Sequence, residues 1–277
     1  MLKSLLIGVH GSPWSQAACE IGINWAASLR IPITCLGVVD LAALTPAEPV
    51  PLGGTRYKAE RDAEAIASGR QRIEAALEDA AQRAAAAGVE CRLLTREGSP
   101  SALLGEEAQR HDLVIVGRRA LPESDRDPRA TETLMEILRH TPRPVVAAGQ
   151  SIPNSAHVVI AYDGSAQAAR ALQSFVASGL YEGRTLHLVG ITDTPDAMRP
   201  ALARGADYLH AHALPAEIHV LPVGRSVAET LSGFAGGMPA GILVMGVYGQ
   251  PWYKELLFGS VTRGVLAQIP VPLFLNH

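Results

Sequence analysis

The feature that most constrains this chain of 277 residues is an internal repeat of about 140 residues. Three pairs of segments match between the halves: LLIGVHGS (5–12) with VVIAYDGS (158–165), LVIVG (113–117) with ILVMG (242–246), and RPVVAAG (143–149) with VPLFLNH (271–277). A repeat of this length is a duplicated domain rather than a unit of a solenoid. The sequence therefore predicts two tandem domains, residues 1–150 and 151–277, with the boundary in GQSIPNS (149–155).

Each half alternates strand patterns with helix patterns. In the first half, short apolar runs of the kind that form buried strands lie at Leu5–Val9, Ile33–Val39, Val89–Leu94, Leu113–Val116 and Val145–Ala148. Helical patterns separate them, and one begins with Ser99 as N-cap and Pro100 in the first turn. Residues 41–54, with three prolines and two glycines, are expected to form a loop. The alternation predicts an α/β fold with a parallel sheet covered by helices.

Composition and charge exclude several classes of protein. The chain is 48% hydrophobic and carries a net charge of -3 without a basic run, so nothing supports a nucleic-acid partner. The first apolar run is too short for a signal peptide, and no window approaches the length of a membrane span. Cys19, Cys35 and Cys91 form no CxxC pair and are interpreted as buried free thiols. These features predict a cytoplasmic protein with no membrane partner.

The candidate binding site lies in residues 242–262, ILVMGVYGQPWYKELLFGSVT. A strand pattern at Ile242–Met245 leads into Gly246 and Gly249, and Gly259-Ser260 follows after nine residues. Glycines let the backbone approach an anion, and free amides at a helix start point toward it. In parallel sheets, ligands bind beyond the carboxyl ends of the strands. The stretch predicts a phosphate site, with ATP as the leading ligand; the alternative is that these glycines only form turns.

Different residues are expected to contact the phosphates and the nucleoside of the bound ATP. The amides of Gly249, Ser260 and Val261, with the Ser260 hydroxyl, are expected to surround the phosphates. Lys254 is interpreted as a solvated lysine.

Three residues at the ends of other strands are expected at the nucleoside. Asp163 follows the first strand of the second half and is a candidate for ribose hydroxyls or a metal-bound water. Its alternative role is to cap the following helix. Ala161 and Ile191 are expected to contact the base, partly through backbone groups.

The chain resembles the universal stress protein family in its tandem two-domain form. The resemblance covers essentially the whole sequence and rests on VHGS/YDGS after the first strands, VMG-VYG, and GSVTRGVLAQIPVPLFL. Its most specific part is Gly-x2-Gly-x9-Gly-Ser/Thr, with which that family binds ATP. The resemblance implies a Rossmann-like, adenine nucleotide alpha hydrolase-like fold with five parallel strands per domain in the order 3-2-1-4-5. It also implies pairing through the last strand, a pseudo-dimer of the two halves, and a further homodimer.

Carried over residue by residue, the resemblance implies one ATP site per chain. The residues implicated are Asp163, Ile191, Met245, Gly246, Gly249, Gly259, Ser260 and Val261. ATP would bring Mg²⁺ or Mn²⁺ held mainly by its own phosphates.

The first half keeps the spacing of this motif and loses two of its glycines. Its counterpart is Gly117-x2-Ala120-x9-Ala130-Thr131, and His10 stands where the second half has Asp163. A methyl group at either alanine blocks the backbone conformation or the close approach that a phosphate needs. The first domain is therefore expected to be a degenerate copy that does not bind ATP.

Two other clusters are interpreted as surface features. Arg118 and Arg119 are candidates for another anion, but loop arginines are usually exposed without one. His210, His212 and His219 lack a cysteine or carboxylate companion at zinc spacing and are expected on a surface or helix face.

The functional hypothesis is a regulatory stress-response protein in which ATP occupancy changes a dimer or a partner surface. No general base is evident, and Gly-x-Ser-x-Gly and GKS/GKT motifs are absent. An enzyme is not expected beyond weak ATPase activity. The alternatives are a slow ATPase or nucleotide-dependent transferase using the same site, and an interaction protein whose site stays empty.

Overall fold

The computed structural model describes residues 1–49, 54–119, 128–149, 155–238, 240–247, 260–269 and 271–277. By its internal contacts the chain divides into two compact units. One contains Lys3–Pro142, and the other contains Arg143–His277 together with Met1–Leu2.

The first unit is a parallel sheet flanked by helices. Its strands are β1 (Leu5–Val9), β2 (Ile33–Val39), β3 (Cys91–Glu97) and β4 (Leu113–Gly117). Its helices are α1 (Pro13–Leu29), α2 (Leu41–Leu44), α3 (Thr55–Ala86), α4 (Pro100–Ala108) and α5 (Pro128–His140). The strand order β3-β2-β1-β4 places the two strands with wholly aliphatic or glycine sequences, β1 and β4, side by side, and both are fully buried.

Side-chain caps mark where α1 and α4 begin. The Ser12 hydroxyl accepts a hydrogen bond from the amide of Ser15, and the Ser99 hydroxyl accepts one from the amide of Ala102. Each satisfies an amide that has no partner within its own helix. The predicted start of a helix at Ser99-Pro100 is confirmed.

Two predictions for this unit differ from the structure. The segment predicted as a loop contains the short helix α2, since the Asp40 carboxylate accepts a hydrogen bond from the amide of Ala43 and caps it. The third strand begins at Cys91 rather than Val89, because the Val89 amide still donates to the carbonyl of Ala84 in the turn that ends α3.

The second unit repeats the architecture. Its strands are β5 (Val145–Ala148), β6 (His157–Ala161), β7 (Thr185–Ile191), β8 (Ala216–Leu221), β9 (Ala240–Gly246) and β10 (Leu273–Asn276). Its helices are α6 (Ala166–Ser178), α7 (Pro195–Ala211), α8 (Val227–Gly237) and α9 (Ser260–Gln268). The sheet runs β5-β10-β9-β6-β7-β8, and β6 to β10 are mutually parallel. In these five strands, the predicted order 3-2-1-4-5 is confirmed.

Strand β5, which was predicted as the fifth strand of the first domain, lies in the second unit. It pairs antiparallel with β10, with Val146 opposite Phe274. Residues 150–154 of the predicted linker lie outside the described residues, and the sequence boundary at residue 150 stays a prediction.

The cysteines are free thiols, as predicted. Cys19 and Cys35 are buried, Cys91 is half-buried, and the sulfur atoms of Cys35 and Cys91 are 3.7 Å apart. Among the described residues, no helix combines the length and the apolar character that a membrane crossing requires.

Candidate functional site

Three strand ends of the second unit meet at one edge of the sheet. Strand β6 lies between β7 and β9, with Val159 opposite His187 on one side and Leu243 on the other. The chain continues from β6 to β7 on one side and returns as β9 on the other, so this edge is a topological switch point. Ala161 and Ile191 are half-buried and end β6 and β7 here. The structure thus brings both of these predicted residues to the edge where parallel sheets bind ligands.

Asp163 lies in the turn between β6 and α6. Its side chain is exposed, and its Oδ1 accepts a hydrogen bond of 2.9 Å from the amide of Ser165. The Ser165 hydroxyl in turn accepts one from the amide of Ala168 and caps α6. Gly164 has a φ of +80°, a conformation that glycine adopts without strain. Asp163 therefore shapes the turn at the site's edge, whatever else it binds.

Gly246 is required by packing as well as by any ligand. A Cβ at this position would lie 2.5 Å from the carbonyl carbon of Gln167 and 2.6 Å from the amide nitrogen of Ala168. These are main-chain atoms of the first turn of α6, so a side-chain rotation cannot relieve the overlap. The end of β9 reaches this position only because the residue has no side chain.

The first unit has the same contact at the matching position. A Cβ on Gly117 would lie 2.8 Å from the carbonyl carbon of Trp14, in the first turn of α1. The half that has lost the other two glycines of the motif has kept this one. The first glycine of the motif therefore serves helix–strand packing in both units.

The structure describes only some of the remaining predicted site residues. Met245 is buried in β9, with 6% of its surface exposed. Ser260 and Val261 are the first two residues of α9, so a helix begins where the sequence predicted one. Gly249, Lys254 and Gly259 lie outside the described residues.

An apolar cavity of about 110 Å³ lies at the matching edge of the sheet in the first unit. It lies at the ends of β1, β2 and β4, and its walls include Leu36, Ile73 and Leu104. His10 lines it, and both of its ring nitrogens are buried without a hydrogen-bond partner among the described residues. Burial, reinforced by the positive charge of Arg72, lowers the pKa of His10 to about 4. A neutral imidazole thus occupies the position that an acidic group holds in the second unit.

Arg118 corrects the expectation of exposed loop arginines. Only 6% of it is exposed, and burial, followed by the charge of Arg119, lowers its pKa to about 10. The Arg119 guanidinium lies 5.5 Å from the ring centroid of Trp14, where a cation–π contact is favourable. The interpretation as two exposed loop arginines is wrong for Arg118.

The prediction for the three histidines was wrong for His219. His210 and His212 lie at the end of α7, as expected for helix-face residues. His219 lies in β8 instead, beside the carboxylate of Glu217, which is the companion group the sequence interpretation found lacking. Strand pairing brings His187 to the same face of the sheet as Glu217 and His219. In the sequence, only the E-x-H alternation of Glu217 and His219 indicates this cluster.

Comparisons with known proteins agree with one another. A curated relative, universal stress protein Slr1230 of Synechocystis, is 23% identical, and the match covers 98% of this chain and 99% of the relative. The crystal structure of a universal stress protein from Archaeoglobus fulgidus has a TM-score of 0.71 at 19% identity, covering 99% of this chain and 95% of that one. A putative universal stress protein from Pseudomonas aeruginosa has a TM-score of 0.66 at 13% identity, covering 99% and 93%. The profile of the universal stress protein family matches residues 1–148 and 155–276, so the chain belongs to the universal stress protein family as a tandem protein.

Proposed function

We propose that the second half binds ATP and that the protein acts as a nucleotide-dependent regulatory protein in a stress response. The observation that carries the proposal is the meeting of β6, β7 and β9 at a switch point, where β9 ends at Gly246 and α9 begins at Ser260. An open α/β sheet binds nucleotides at such a point, with phosphates at a helix N-terminus. Membership of the universal stress protein family supports the same assignment.

Each end of the nucleotide has candidate partners in this arrangement. Ala161 and Ile191 flank the position of the base at the ends of neighbouring strands. Asp163, exposed in the adjoining turn, is the candidate for the ribose hydroxyls. The amides that open α9 at Ser260 and Val261, with Gly249 and Gly259 before them in sequence, are the candidates for the phosphates. Mg²⁺ or Mn²⁺ would be held mainly by the phosphates.

A regulatory role fits better than a catalytic one. Asp163 is the acidic candidate at the described part of this edge, and one of its oxygens already accepts the Ser165 amide. A general base needs a lone pair directed at the attacking water and a pKa near the working pH. A slow ATPase or nucleotide-dependent transferase using the same site remains the rival hypothesis. The cytoplasmic location, the homodimer and the pseudo-dimer of the halves belong to this proposal as expectations drawn from the family resemblance.

The test is the stoichiometry of nucleotide binding and its dependence on the motif. We expect calorimetry to give one ATP bound per chain. We also expect the purified protein to contain up to one nucleotide per chain. Gly259→Ala should weaken ATP binding at least about tenfold by blocking the close approach of the backbone. The matched variant Ala130→Gly, at the corresponding position of the first half, should leave the stoichiometry at one.

Two results would contradict the proposal. Two ATP molecules per chain, or an affinity unchanged by Gly259→Ala, would show that the nucleotide does not depend on the intact motif. Steady release of ADP that Gly259→Ala abolishes would favour the enzymatic rival. Circular dichroism of both variants must match the wild type for these results to be interpreted.

A further inference from the structure

A row of polar side chains crosses three neighbouring strands of the second unit. His157 lies in β6, His187 in β7, and Glu217 and His219 in β8. Glu217 and His219 are two residues apart in one strand and therefore point to the same face of the sheet. Strand pairing places His187 directly opposite Glu217, so all three side chains share that face.

The potential ligand atoms of three of these residues converge. His187 Nδ1 lies 3.2 Å from His219 Nε2 and 3.3 Å from Glu217 Oε2, and the last two atoms are 3.7 Å apart. The point equidistant from three atoms at these separations lies about 2.0 Å from each, and zinc binds imidazole nitrogen and carboxylate oxygen at about 2.0–2.2 Å. The separations of the three ligand atoms therefore match those around a bound ion of this size.

The donor set indicates the class of ion. Two imidazoles and one carboxylate suit Zn²⁺ and neighbouring divalent transition metals, whereas Mg²⁺ and Ca²⁺ prefer sites made wholly of oxygen. The exposed fraction of the side chain increases across the three residues, from 2% for His187 to 26% for His219 and 62% for Glu217. Such a site is anchored in the sheet and has its fourth coordination position open toward water, as three-ligand zinc sites do.

A fourth side chain is placed to orient the buried ligand. His157 Nδ1 lies 3.0 Å from His187 Nε2, on the side of the ring away from the other ligand atoms. With a metal on Nδ1, the ring proton of His187 is on Nε2 and is donated to His157. This is the outer contact that fixes the tautomer of a ligating histidine. The His219 ring packs against Phe234, with 4.9 Å between ring centroids, which restricts its orientation.

We propose that His187, Glu217 and His219 form a binding site for a divalent transition metal of the zinc class, with His157 as a positioning residue. An ion held there links β7 to β8, the edge strand of this sheet. It is separate from any Mg²⁺ or Mn²⁺ that accompanies ATP, since its ligands belong to the protein alone.

The test uses untagged full-length protein, stripped with a chelator and titrated with Zn²⁺, and separately with Co²⁺, in the absence of nucleotide. We expect one ion per chain, a Co²⁺ visible spectrum of tetrahedral intensity, and a Zn²⁺-dependent rise in the melting temperature. Glu217→Gln and His219→Ala should each weaken Zn²⁺ binding by about 100-fold or more, and His157→Ala by about 10–100-fold with one ion retained. His210→Ala, an exposed histidine of α7, is the control and should change nothing.

Two results would overturn the proposed metal site, and a third would overturn the role given to His157. The first is wild-type protein that fails to bind Zn²⁺ at micromolar concentration. The second is binding that Glu217→Gln and His219→Ala leave unchanged, which would place the ion elsewhere on the surface. The third, which removes the role of His157 alone, is unchanged affinity in His157→Ala. Glu217 is exposed, so its variant keeps the test valid if His219→Ala folds poorly.

Discussion

Replacing Gly246 by alanine should destabilise the second unit even when no nucleotide is present. The added Cβ would lie 2.5 Å and 2.6 Å from main-chain atoms of Gln167 and Ala168, separations that real Cβ atoms essentially never show. Relief requires β9 and the first turn of α6 to move apart. Both belong to a core in which the neighbouring strand residues Val244 and Val159 are fully buried.

The magnitude follows from the cost of overpacking. Extra methyl groups in a packed core typically cost about 1–3 kcal/mol, and an overlap with main chain belongs at the upper end. We therefore expect Gly246→Ala to lose about 3 kcal/mol of unfolding free energy, or about 10 °C in the melting temperature of a unit of this size. Gly117→Ala, whose Cβ would meet Trp14 main chain at 2.8 Å, should behave alike in the first unit.

The assay is thermal and urea unfolding followed by circular dichroism, with nucleotide removed. Gly233→Ala is the matched control, because Gly233 is exposed within α8 and a Cβ there meets nothing within 4 Å. Alanine is the better helix former, so this control should gain up to about 1 kcal/mol. A Gly246→Ala protein that unfolds at the wild-type midpoint, yet loses ATP, would refute the packing argument and assign the glycine to the ligand alone.

Two further predictions concern titratable side chains of the first unit. The pKa of His10 is lowered from 6.5 to about 4, so as the pH falls this imidazole is protonated in the unfolded state before it is protonated in the folded state. The free energy of unfolding should therefore fall by up to about 3 kcal/mol as the pH drops from 6.5 to 4. Urea unfolding across that range should show the loss in wild type and a smaller one in His10→Leu. Iodoacetamide should label Cys91 before Cys35, because Cys35 is fully buried whereas Cys91 is half-buried. Mass spectrometry of peptides measures the order, and equal rates in the folded protein would contradict it.

The positions of the strands along the chain and the starts of helices could be predicted because their signals are local, whereas the order of the strands in the sheet was implied by the family resemblance. Ser99 and Pro100 were expected to open a helix, and α4 begins at Pro100 with Ser99 as its N-cap. The apolar runs of buried strands such as β1 and β9 stand out from the helical patterns between them. Strand β3 was misplaced because most of its side chains are at least partly exposed, which removes the apolar run that marks a buried strand.

Pairing between distant segments could not be predicted in the same way. The antiparallel pairing of β5 with β10, more than a hundred residues away, has no local signal, and only the family resemblance implied pairing through the last strand. The cluster of His187, Glu217 and His219 depends on the register between β7 and β8, and a shift of one residue would send one strand's side chains to the other face. His219 was grouped with His210 because they are close in sequence, and the structure separates them into a helix and a strand.

The two halves together show that the first glycine of the motif has a packing role of its own. Gly117 and Gly246 make the same contact with the helix that follows the first strand of their unit, so the presence of that glycine does not distinguish a binding half from a degenerate one. The halves differ at the two later positions, which are Ala120 and Ala130 in the first half and Gly249 and Gly259 in the second. They also differ at the strand end, where a neutral His10 over an apolar cavity replaces an exposed acidic group. The nucleotide hypothesis therefore depends on the second and third glycines, and variants at those positions test binding more directly than any variant of the first.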